Sequence, residues 1–219
     1  VMSAVAGSGR DIKVVGGRYG LSSKEFSPGM VKAVFDELSA AAPRHGFTVG
    51  IDDDVTHLSL DYDATLDVVA ADVAECLFYG MGSDGTVGAT RQAAGIIGAT
   101  EGMYAQAYFH YSAKKSGGYT ISELRFAHSP IEAAYSIINA GYVGCNKCTY
   151  VRRFHLLDRI REGGVFVLNS PWSAEDMERE LPAALRRKIA EKHLRFYNID
   201  ATALAAANGL GVRILSLIH

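Results

Sequence analysis

The clearest chemical signal in the sequence is a glycine-rich loop near residue 80. An apolar run at 75–79 leads into a Gly-x-Gly-x-x-Gly sequence at 80–85, and a helical pattern begins at Thr86. In that context glycines let the backbone approach a phosphate, while the free N–H groups and dipole of a helix start favour its negative charge. The residues predicted to lie near phosphate are Gly82, Ser83, Gly85 and Thr86. The alternative is a tight strand-to-helix turn that binds nothing.

The segment after the next predicted strand indicates which nucleotide this loop would hold. A fold that binds NAD ends this strand with an acidic residue that contacts the ribose hydroxyls. Here the strand at 104–111 is followed by Ser-Ala-Lys-Lys-Ser-Gly-Gly, which contains Lys114 and Lys115. Two lysines suit an additional phosphate, such as the 2′-phosphate of NADP or the 3′-phosphate of coenzyme A. A solvated lysine turn is the alternative.

Other residues that could do chemistry form weaker patterns. Cys145 and Cys148 have the spacing of a redox pair or half a zinc site, but tetrahedral zinc needs four ligands and no second Cys-x-x-Cys pair follows. A turn at a strand end is the favoured interpretation. The run Asp52-Asp53-Asp54 lacks the alternating ligands of a calcium loop and is interpreted as solvated. The sequence contains no Gly-x-Ser-x-Gly motif, so no catalytic residue is predicted.

Composition excludes several classes of protein. A hydrophobic content of 48% and a charged content of 21% are typical of a packed globular protein. The net charge of −2 removes the usual electrostatic basis for binding nucleic acid. We expect no membrane span, because no apolar run approaches the ~20 residues that a span requires. Three cysteines and a start without signal-peptide features favour a cytoplasmic location.

The elements that would position these residues alternate between strands and helices. The first part contains a predicted strand at 11–17, a helix opened by Ser27-Pro28 and extending to Leu38, and an extended stretch at 47–51 that begins a solvated junction reaching residue 67. Later strands are predicted at 75–79, 104–111, 142–145, 164–169 and 196–199, with a hairpin-like addition at 118–126. Helices are predicted at 86–97, 130–139, 150–161, 174–193 and 202–208. This alternation predicts an α/β fold with a doubly wound, mostly parallel sheet, preceded by a small strand–helix–linker segment.

Several strings together resemble one enzyme family. They are GRYGLSSKEF at 17–26, MVKAVFD at 30–36, FTVGI-x-DDVT at 47–56, FYGMGSDGTVGA at 78–89, KKSGG at 114–118, LRF at 124–126 and LNSP at 168–171. The sequence is similar to the middle of pyruvate:ferredoxin (flavodoxin) oxidoreductases over nearly its whole length. Enzymes of this family oxidatively decarboxylate pyruvate, transfer the acetyl group to coenzyme A and pass electrons to ferredoxin or flavodoxin.

The resemblance implies an assignment for each part of the chain. Residues 1–60 would be the end of a transketolase-C-terminal-like domain with its linker, and residues 65–214 a Rossmann-like gamma domain that helps to hold coenzyme A. Thiamine diphosphate, Mg²⁺ and 4Fe–4S clusters would lie in segments not present here, because the chain has no thiamine-binding Gly-Asp-Gly motif and no four-cysteine run. The implied partners are the other domains of the enzyme, a second subunit in a homodimer, and ferredoxin or flavodoxin. Two alternatives stay open: an interdomain scaffold and an NADP-dependent reductase.

The last five residues carry a separate signal. Leu215-Ser216-Leu217-Ile218-His219 is the peptide that a common transposase sequencing adapter, CTGTCTCTTATACAC, encodes in frame. The family pattern continues instead with a Gly-x-Gly-x-Arg-x-Asn segment. We therefore expect residues 215–219 to be foreign to the natural protein.

Overall fold

The computed structural model of the protein describes residues 2–21, 25–53, 55–112 and 118–209. The chain divides into two compact units, residues 1–68 and 69–219. The tail at 215–219 lies outside the described residues, so its origin stays a prediction. Among the described residues, no helix combines the length and the apolar character needed to cross a bilayer.

The first unit is built around one amphipathic helix. Its elements are α1 (Met2–Gly7), β1 (Gly17–Arg18), α2 (Pro28–Leu38) and β2 (Phe47–Thr48). Helix α2 begins as the sequence predicts, because the Ser27 side chain accepts a hydrogen bond from the Met30 N–H and Pro28 occupies the first helical position. Its buried side packs against the two strands and the segment after them, in a core formed by Met30, Ala33, Val34, Phe47, Val49 and Leu60.

Two predictions for the first unit are wrong. The strand predicted at 11–17 is reduced to Gly17–Arg18, because only these residues pair with β2. The stretch at 47–51 does not begin a solvated junction: Phe47 and Val49 are 2% and 1% exposed and lie in the core. Hydrophobic burial therefore makes this stretch part of the first unit, and the boundary between units falls between Val68 and Val69.

The described part of the second unit contains a six-stranded sheet. Its strands are β3 (Ala74–Met81), β4 (Tyr104–Tyr111), β5 (Tyr119–Ala127), β6 (Ala140–Cys145), β7 (Ile160–Asn169) and β8 (Arg195–Ile199). Their order across the sheet is β4-β5-β3-β6-β7-β8. Strands β3, β6, β7 and β8 are parallel, whereas β5 is antiparallel to both β3 and β4. The predicted α/β class with a mostly parallel sheet is confirmed.

Helices cover both faces of this sheet. They are α3 (Thr86–Gly98), α4 (Ala174–Glu180), α5 (Ala183–Glu191) and α6 (Ala201–Ala207). Helix α3 lies on one face, where the Arg91 guanidinium stacks over the Phe109 ring of β4. On the other face, Leu77, Val143 and Phe166 form a buried core that includes residues of α4, α5 and the segment before β7. The single helix predicted at 174–193 is interrupted at Leu181-Pro182, because proline has no N–H to continue it.

The helix predicted at 130–139 is absent, and side chains of β5 explain why. The Arg125 guanidinium donates to the carbonyls of Ala133 and Tyr135, and the Glu123 carboxylate accepts the Ile137 N–H at 2.9 Å. These side chains supply the partners that helical hydrogen bonds would otherwise provide. Hydrogen bonds between this backbone and the side chains of β5 cannot be predicted from the local periodicity of the segment.

The helix predicted at 150–161 is also wrong. A 3₁₀ turn at Cys148–Arg152 replaces its start, and β7 already begins at Ile160. Between them, the adjacent residues Leu156 and Leu157 are both essentially buried, at 0% and 1% exposed. A surface helix buries only one stripe, so irregular backbone serves this packing better.

Candidate functional site

The glycine loop joins β3 to α3 at the carboxyl edge of the parallel strands. Gly80 packs so closely on Thr86 that an added Cβ would lie 2.1 Å from the threonine hydroxyl oxygen. Gly85 precedes the helix with a φ of +90°, a left-handed conformation that favours glycine. The close contact with Thr86 and the left-handed backbone therefore explain why glycine occupies positions 80 and 85. The predicted strand–loop–helix context is present.

Asp84 organises the loop from inside. Its carboxylate accepts the backbone N–H groups of Met81 and Thr86, at 2.7 and 2.9 Å, and the Thr86 hydroxyl at 2.6 Å. Among the described residues, no Lys, Arg or His forms an ion pair with Asp84. The loop thus contains a fixed negative charge that the glycine pattern does not reveal.

Two asparagines connect the loop to the neighbouring strand ends. Asn146 directly follows β6; its N–H donates to the Tyr79 carbonyl at 2.9 Å, and its Nδ2 donates to the Thr86 hydroxyl at 2.8 Å. Asn169 ends β7, donates to the Asn146 carbonyl and accepts the N–H of Ala201 at the start of α6. These side chains fix three strand ends relative to one another.

The chain reverses its course across the sheet between β3 and β6. The crossover through α3 leads from β3 toward one side, to β4, whereas β6, β7 and β8 follow on the other side. In open α/β sheets, ligands bind outside the carboxyl ends of the strands at such a switch point. The glycine loop and the turn at Asn146 lie at this switch point.

The predicted site residues differ in their exposure to solvent. Gly82 and Ser83 are exposed and Gly85 is half-buried, whereas Thr86 is only 2% exposed. The Thr86 hydroxyl already donates to Asp84 and accepts from Asn146, so it has a structural task in the loop. Of the two side-chain hydroxyl groups in the predicted site, that of Ser83 is therefore the candidate donor to a phosphate.

Lys114 and Lys115 lie outside the described residues. The residues that flank their segment are described: the Ser112 N–H donates to the Tyr119 carbonyl at 3.0 Å, and Tyr119 pairs with Met81. The end of β4 and the start of β5 therefore share the sheet edge of the glycine loop. The order of strands differs from the dinucleotide-binding arrangement assumed above, since β5 lies between β3 and β4.

At two further positions, the packing of the described residues does not require glycine. A Cβ on Gly82 would meet only the Thr120 methyl group at 3.9 Å, and one on Gly88 would meet nothing within 4 Å. Both residues are exposed, and neither has a positive φ. Among residues 2–21, 25–53, 55–112 and 118–209, nothing therefore occupies the space that a side chain would fill at either glycine. Sequence reasoning included Gly82 in the predicted site but missed Gly88, which is separated from the loop motif by two residues.

Cys145, the first residue of the Cys-x-x-Cys pair, does not have the environment of a reactive thiol. Cys145 is buried, its thiol donates to the Lys147 carbonyl, and burial raises its pKa to about 12. A reactive thiol requires the opposite shift. No group of three or more His, Cys, Asp or Glu side chains suitable for a metal occurs in the described residues. The Cys145 thiol is thus bonded within the turn that follows β6.

Comparison with known proteins identifies relatives of this chain. The family described as pyruvate ferredoxin/flavodoxin oxidoreductase matches residues 75–218. A pyruvate:ferredoxin oxidoreductase of Moorella thermoacetica is 54% identical over 214 residues, covering 98% of this chain and 18% of its own length. A mitochondrial pyruvate dehydrogenase (NADP+) of Euglena gracilis is 50% identical over 96% of this chain and 12% of its own. The chain thus spans less than a fifth of the length of these relatives.

Solved structures with a related arrangement have low sequence identity. The pyruvate oxidoreductase subunit PORC of Thermotoga maritima is 18% identical, with a TM-score of 0.48 over 65% of this chain and 71% of that chain. A 2-oxoglutarate:ferredoxin oxidoreductase of Magnetococcus marinus, solved with 2-oxoglutarate, coenzyme A and succinyl-CoA, is 17% identical, with a TM-score of 0.47 over 67% of this chain and 23% of that chain. The extent of the family match and the high identity to the longer relatives show that this chain belongs to the pyruvate ferredoxin/flavodoxin oxidoreductase family.

Proposed function

We propose that this chain is the coenzyme A-binding part of a pyruvate:ferredoxin or pyruvate:flavodoxin oxidoreductase. The observation that carries the proposal is the switch point between the ends of β3 and β6, where Gly82 and Gly88 are exposed and no packing among the described residues requires glycine at either position. Membership of the family supplies the reaction: pyruvate, coenzyme A and an oxidised acceptor give acetyl-CoA, carbon dioxide and a reduced acceptor. Residues 65–214 would be its gamma domain, and residues 1–60 the end of the preceding domain.

In this proposal, Gly82, Ser83, Gly85 and Thr86 form one wall of the coenzyme A site. Thr86 acts indirectly, since its hydroxyl fixes Asp84 and the Asn146 turn. Lys114 and Lys115 contact the 3′-phosphate of the nucleotide. Each charge-assisted contact to phosphate contributes about 1.5–3 kcal/mol when well formed.

The cofactors of the complete reaction belong to other parts of the enzyme. A 4Fe–4S cluster takes four thiolates, and this chain has three cysteines, of which Cys145 is buried with a raised pKa. We therefore assign the clusters, thiamine diphosphate and Mg²⁺ to segments outside this chain. The other domains of the enzyme and a ferredoxin or flavodoxin are the proposed partners.

A titration distinguishes this function from the two alternatives. We expect the 219-residue chain to bind coenzyme A more tightly than 3′-dephospho-coenzyme A or NADPH, as measured by isothermal titration calorimetry. Tighter binding of NADPH would favour a reductase. The absence of coenzyme A binding by a chain that folds, as judged by circular dichroism, would favour an interdomain scaffold.

A matched pair of variants tests the two lysines. The double substitution Lys114→Ala/Lys115→Ala should weaken coenzyme A binding by at least about a hundredfold, since it removes two charge-assisted contacts. The double substitution Arg186→Ala/Arg187→Ala removes the same charge from an exposed part of α5 and should change the affinity little. Equal losses in both variants would reduce the effect to net charge and contradict the assignment of the lysines.

A further inference from the structure

A hollow of about 340 Å³ lies in the second unit, between the segment 151–158 and the first turns of α5. Two features of the sequence create it. Burial of the adjacent residues Leu156 and Leu157 keeps the segment irregular, and the interruption at Leu181-Pro182 separates α5 from α4. None of the described residues that line the hollow belongs to the glycine loop.

The floor of the hollow is apolar and is held in place by the core. Val151, Leu157 and Leu185 line it and are 5%, 1% and 8% exposed. Phe154 also lines it, and the centroid of its ring lies 4.9 Å from that of the buried Tyr150. A floor fixed in this way can receive an apolar side chain without a large cost of ordering.

The rim of the hollow is basic. Its lining includes three cations, Arg152, Arg153 and Lys188, and one carboxylate, that of Asp158. Lys188 pairs with Asp158, and Arg152 pairs with Glu180 at 3.0 Å. Among the described residues, no carboxylate forms an ion pair with Arg153. The exposed rim therefore carries a positive charge that this part of the chain does not neutralise.

The charge and the apolar floor meet at Arg153. Its guanidinium carbon lies 5.6 Å from the centroid of the Phe154 ring, and a guanidinium over an aromatic ring keeps its N–H groups for a carboxylate. The excess of positive charge also acts on Lys192, whose ammonium donates to the Leu157 carbonyl at 3.5 Å. Burial lowers the pKa of Lys192, and the charge of Lys188 lowers it further.

Building on the proposed function, in which this chain is one part of a longer enzyme, we propose that the hollow is a docking site for an acidic segment of another domain of that enzyme. An apolar side chain of the segment contacts the floor, and its carboxylates lie beside Arg153 and Lys188. The coenzyme A site plays no part in this docking, so the two proposals can fail separately.

Two observations favour this occupant. The first is charge complementarity, because a carboxylate can accept two parallel N–H groups from the guanidinium of Arg153. The second is length: the chain matches the Moorella relative over 98% of its own residues but only 18% of that protein, so most of such a protein lies outside this chain. Exposed ion pairs hold a free anion weakly, whereas a segment tethered in the same polypeptide has a high effective concentration. Interfaces between domains are also polar, and arginine and aromatic residues are enriched at interfaces.

The first test measures which chemistry the hollow binds. The peptide acetyl-Asp-Glu-Phe-Glu-Asp-amide and its uncharged counterpart acetyl-Asn-Gln-Phe-Gln-Asn-amide are titrated into the 219-residue chain, and the amide NMR shifts are followed. We expect the acidic peptide to shift the amides of 151–158 and 183–188 and to bind at least about tenfold more tightly than the neutral one at low salt, with the difference shrinking as salt is added. Equal affinities, or no shifts at 151–158, would overturn the proposal.

A matched pair of charge reversals tests the role of Arg153. Arg195 is also exposed and forms no ion pair among the described residues, but it lies on the opposite face of the sheet, since its neighbour Phe196 packs into the core that includes α5. Arg153→Glu should weaken binding of the acidic peptide by about tenfold or more, and Arg195→Glu should leave it unchanged. Equal weakening in both variants would reduce the effect to net charge and refute the docking site.

The second test identifies the source of the segment. Lys188 is acetylated with acetic anhydride in the isolated chain and in the full-length protein, and the extent of reaction is measured by mass spectrometry. We expect Lys188 to react about tenfold more slowly in the full-length protein, and Arg153→Glu, but not Arg195→Glu, should restore the reaction there.

The outcomes separate the docking site from the proposed function. Equal reaction of Lys188 in the chain and in the full-length protein, protection that survives Arg153→Glu, or protection that requires a separate acidic protein would each overturn the docking site. A chain that binds no coenzyme A, but whose Lys188 is protected in the full-length protein and released by Arg153→Glu, would refute coenzyme A binding alone.

Discussion

The contact between Gly80 and Thr86 allows a quantitative test of how the loop is built. In Gly80→Ala, the new Cβ would lie 2.1 Å from the Thr86 hydroxyl oxygen and 2.5 Å from the Thr86 Cβ, well inside the 3.4 Å at which ordinary contact begins. Thr86 cannot move aside freely, because it is buried and its hydroxyl is bonded to Asp84 and Asn146. We therefore expect the substitution to displace Thr86 and to lower the free energy of unfolding.

The size of this loss follows from the contacts that are disturbed. Two displaced hydrogen bonds contribute about 1 kcal/mol each, and overpacking of a closely packed site costs about 1–3 kcal/mol. Alanine also lowers the entropy of the unfolded chain, which offsets about 0.5–1 kcal/mol. The expected net loss is about 2–4 kcal/mol, a large part of the ~5–15 kcal/mol by which typical domains are stable.

Urea unfolding followed by circular dichroism measures this change. The control is Gly82→Ala, whose new Cβ would meet only the Thr120 methyl group at 3.9 Å, so its stability should differ from wild type by less than about 0.5 kcal/mol. If both variants have the same free energy of unfolding, Thr86 yields without cost and the proposed rigidity of the loop is refuted.

Three further predictions concern charge and backbone conformation. Glu75→Gln should lower the free energy of unfolding by about 3–5 kcal/mol in urea melts, because it leaves the buried guanidinium of Arg125 without its carboxylate 2.8 Å away; a loss below about 1 kcal/mol would contradict this. His193→Gly should raise it by about 0.5–1 kcal/mol, since this exposed residue has a φ of +49° after α5, and a lower melting temperature would argue against it. Hydrogen bonds from the Thr56 hydroxyl and then its N–H lower the pKa of Asp53 from 3.8 to about 2. The stabilisation from Asp53 should therefore be complete above about pH 4 and lost as the pH falls through 2, and acid titrations of Asp53→Asn should lack this component.

Local patterns predicted those elements whose stability is mainly local. The helix at 28–38 carries its own cap and first-turn proline, and β4 is a run with four aromatic residues that the sequence predicts at its observed bounds. The segment at 130–139 has a helical pattern as well, but Glu123 and Arg125 of β5 bind its backbone instead. Their effect depends on contacts across the sheet, which the pattern of the segment itself does not contain.

The same distinction applies to the candidate site. The glycine loop was recognisable because a strand, a glycine pattern and a helix start follow one another directly in the chain. Asp84 was inside the motif, yet its role depends on the direction in which its side chain turns. Asn146 was missed because its bond to Thr86 joins residues that become neighbours only through the pairing of β3 with β6. An asparagine directly after a predicted parallel strand was the one available signal.

The central position of β3 in the sheet affects how the protein folds while it is synthesised on the ribosome. Its antiparallel neighbour begins at Tyr119, after α3 and β4 have been synthesised, and its parallel neighbour begins later still, at Ala140. At translation rates of ~5–20 residues per second, the apolar run Cys76–Tyr79 waits on the order of seconds for a partner. During that interval the apolar strand β3 is exposed on the nascent chain without a hydrogen-bonded neighbour. We expect a chaperone to bind first at this strand.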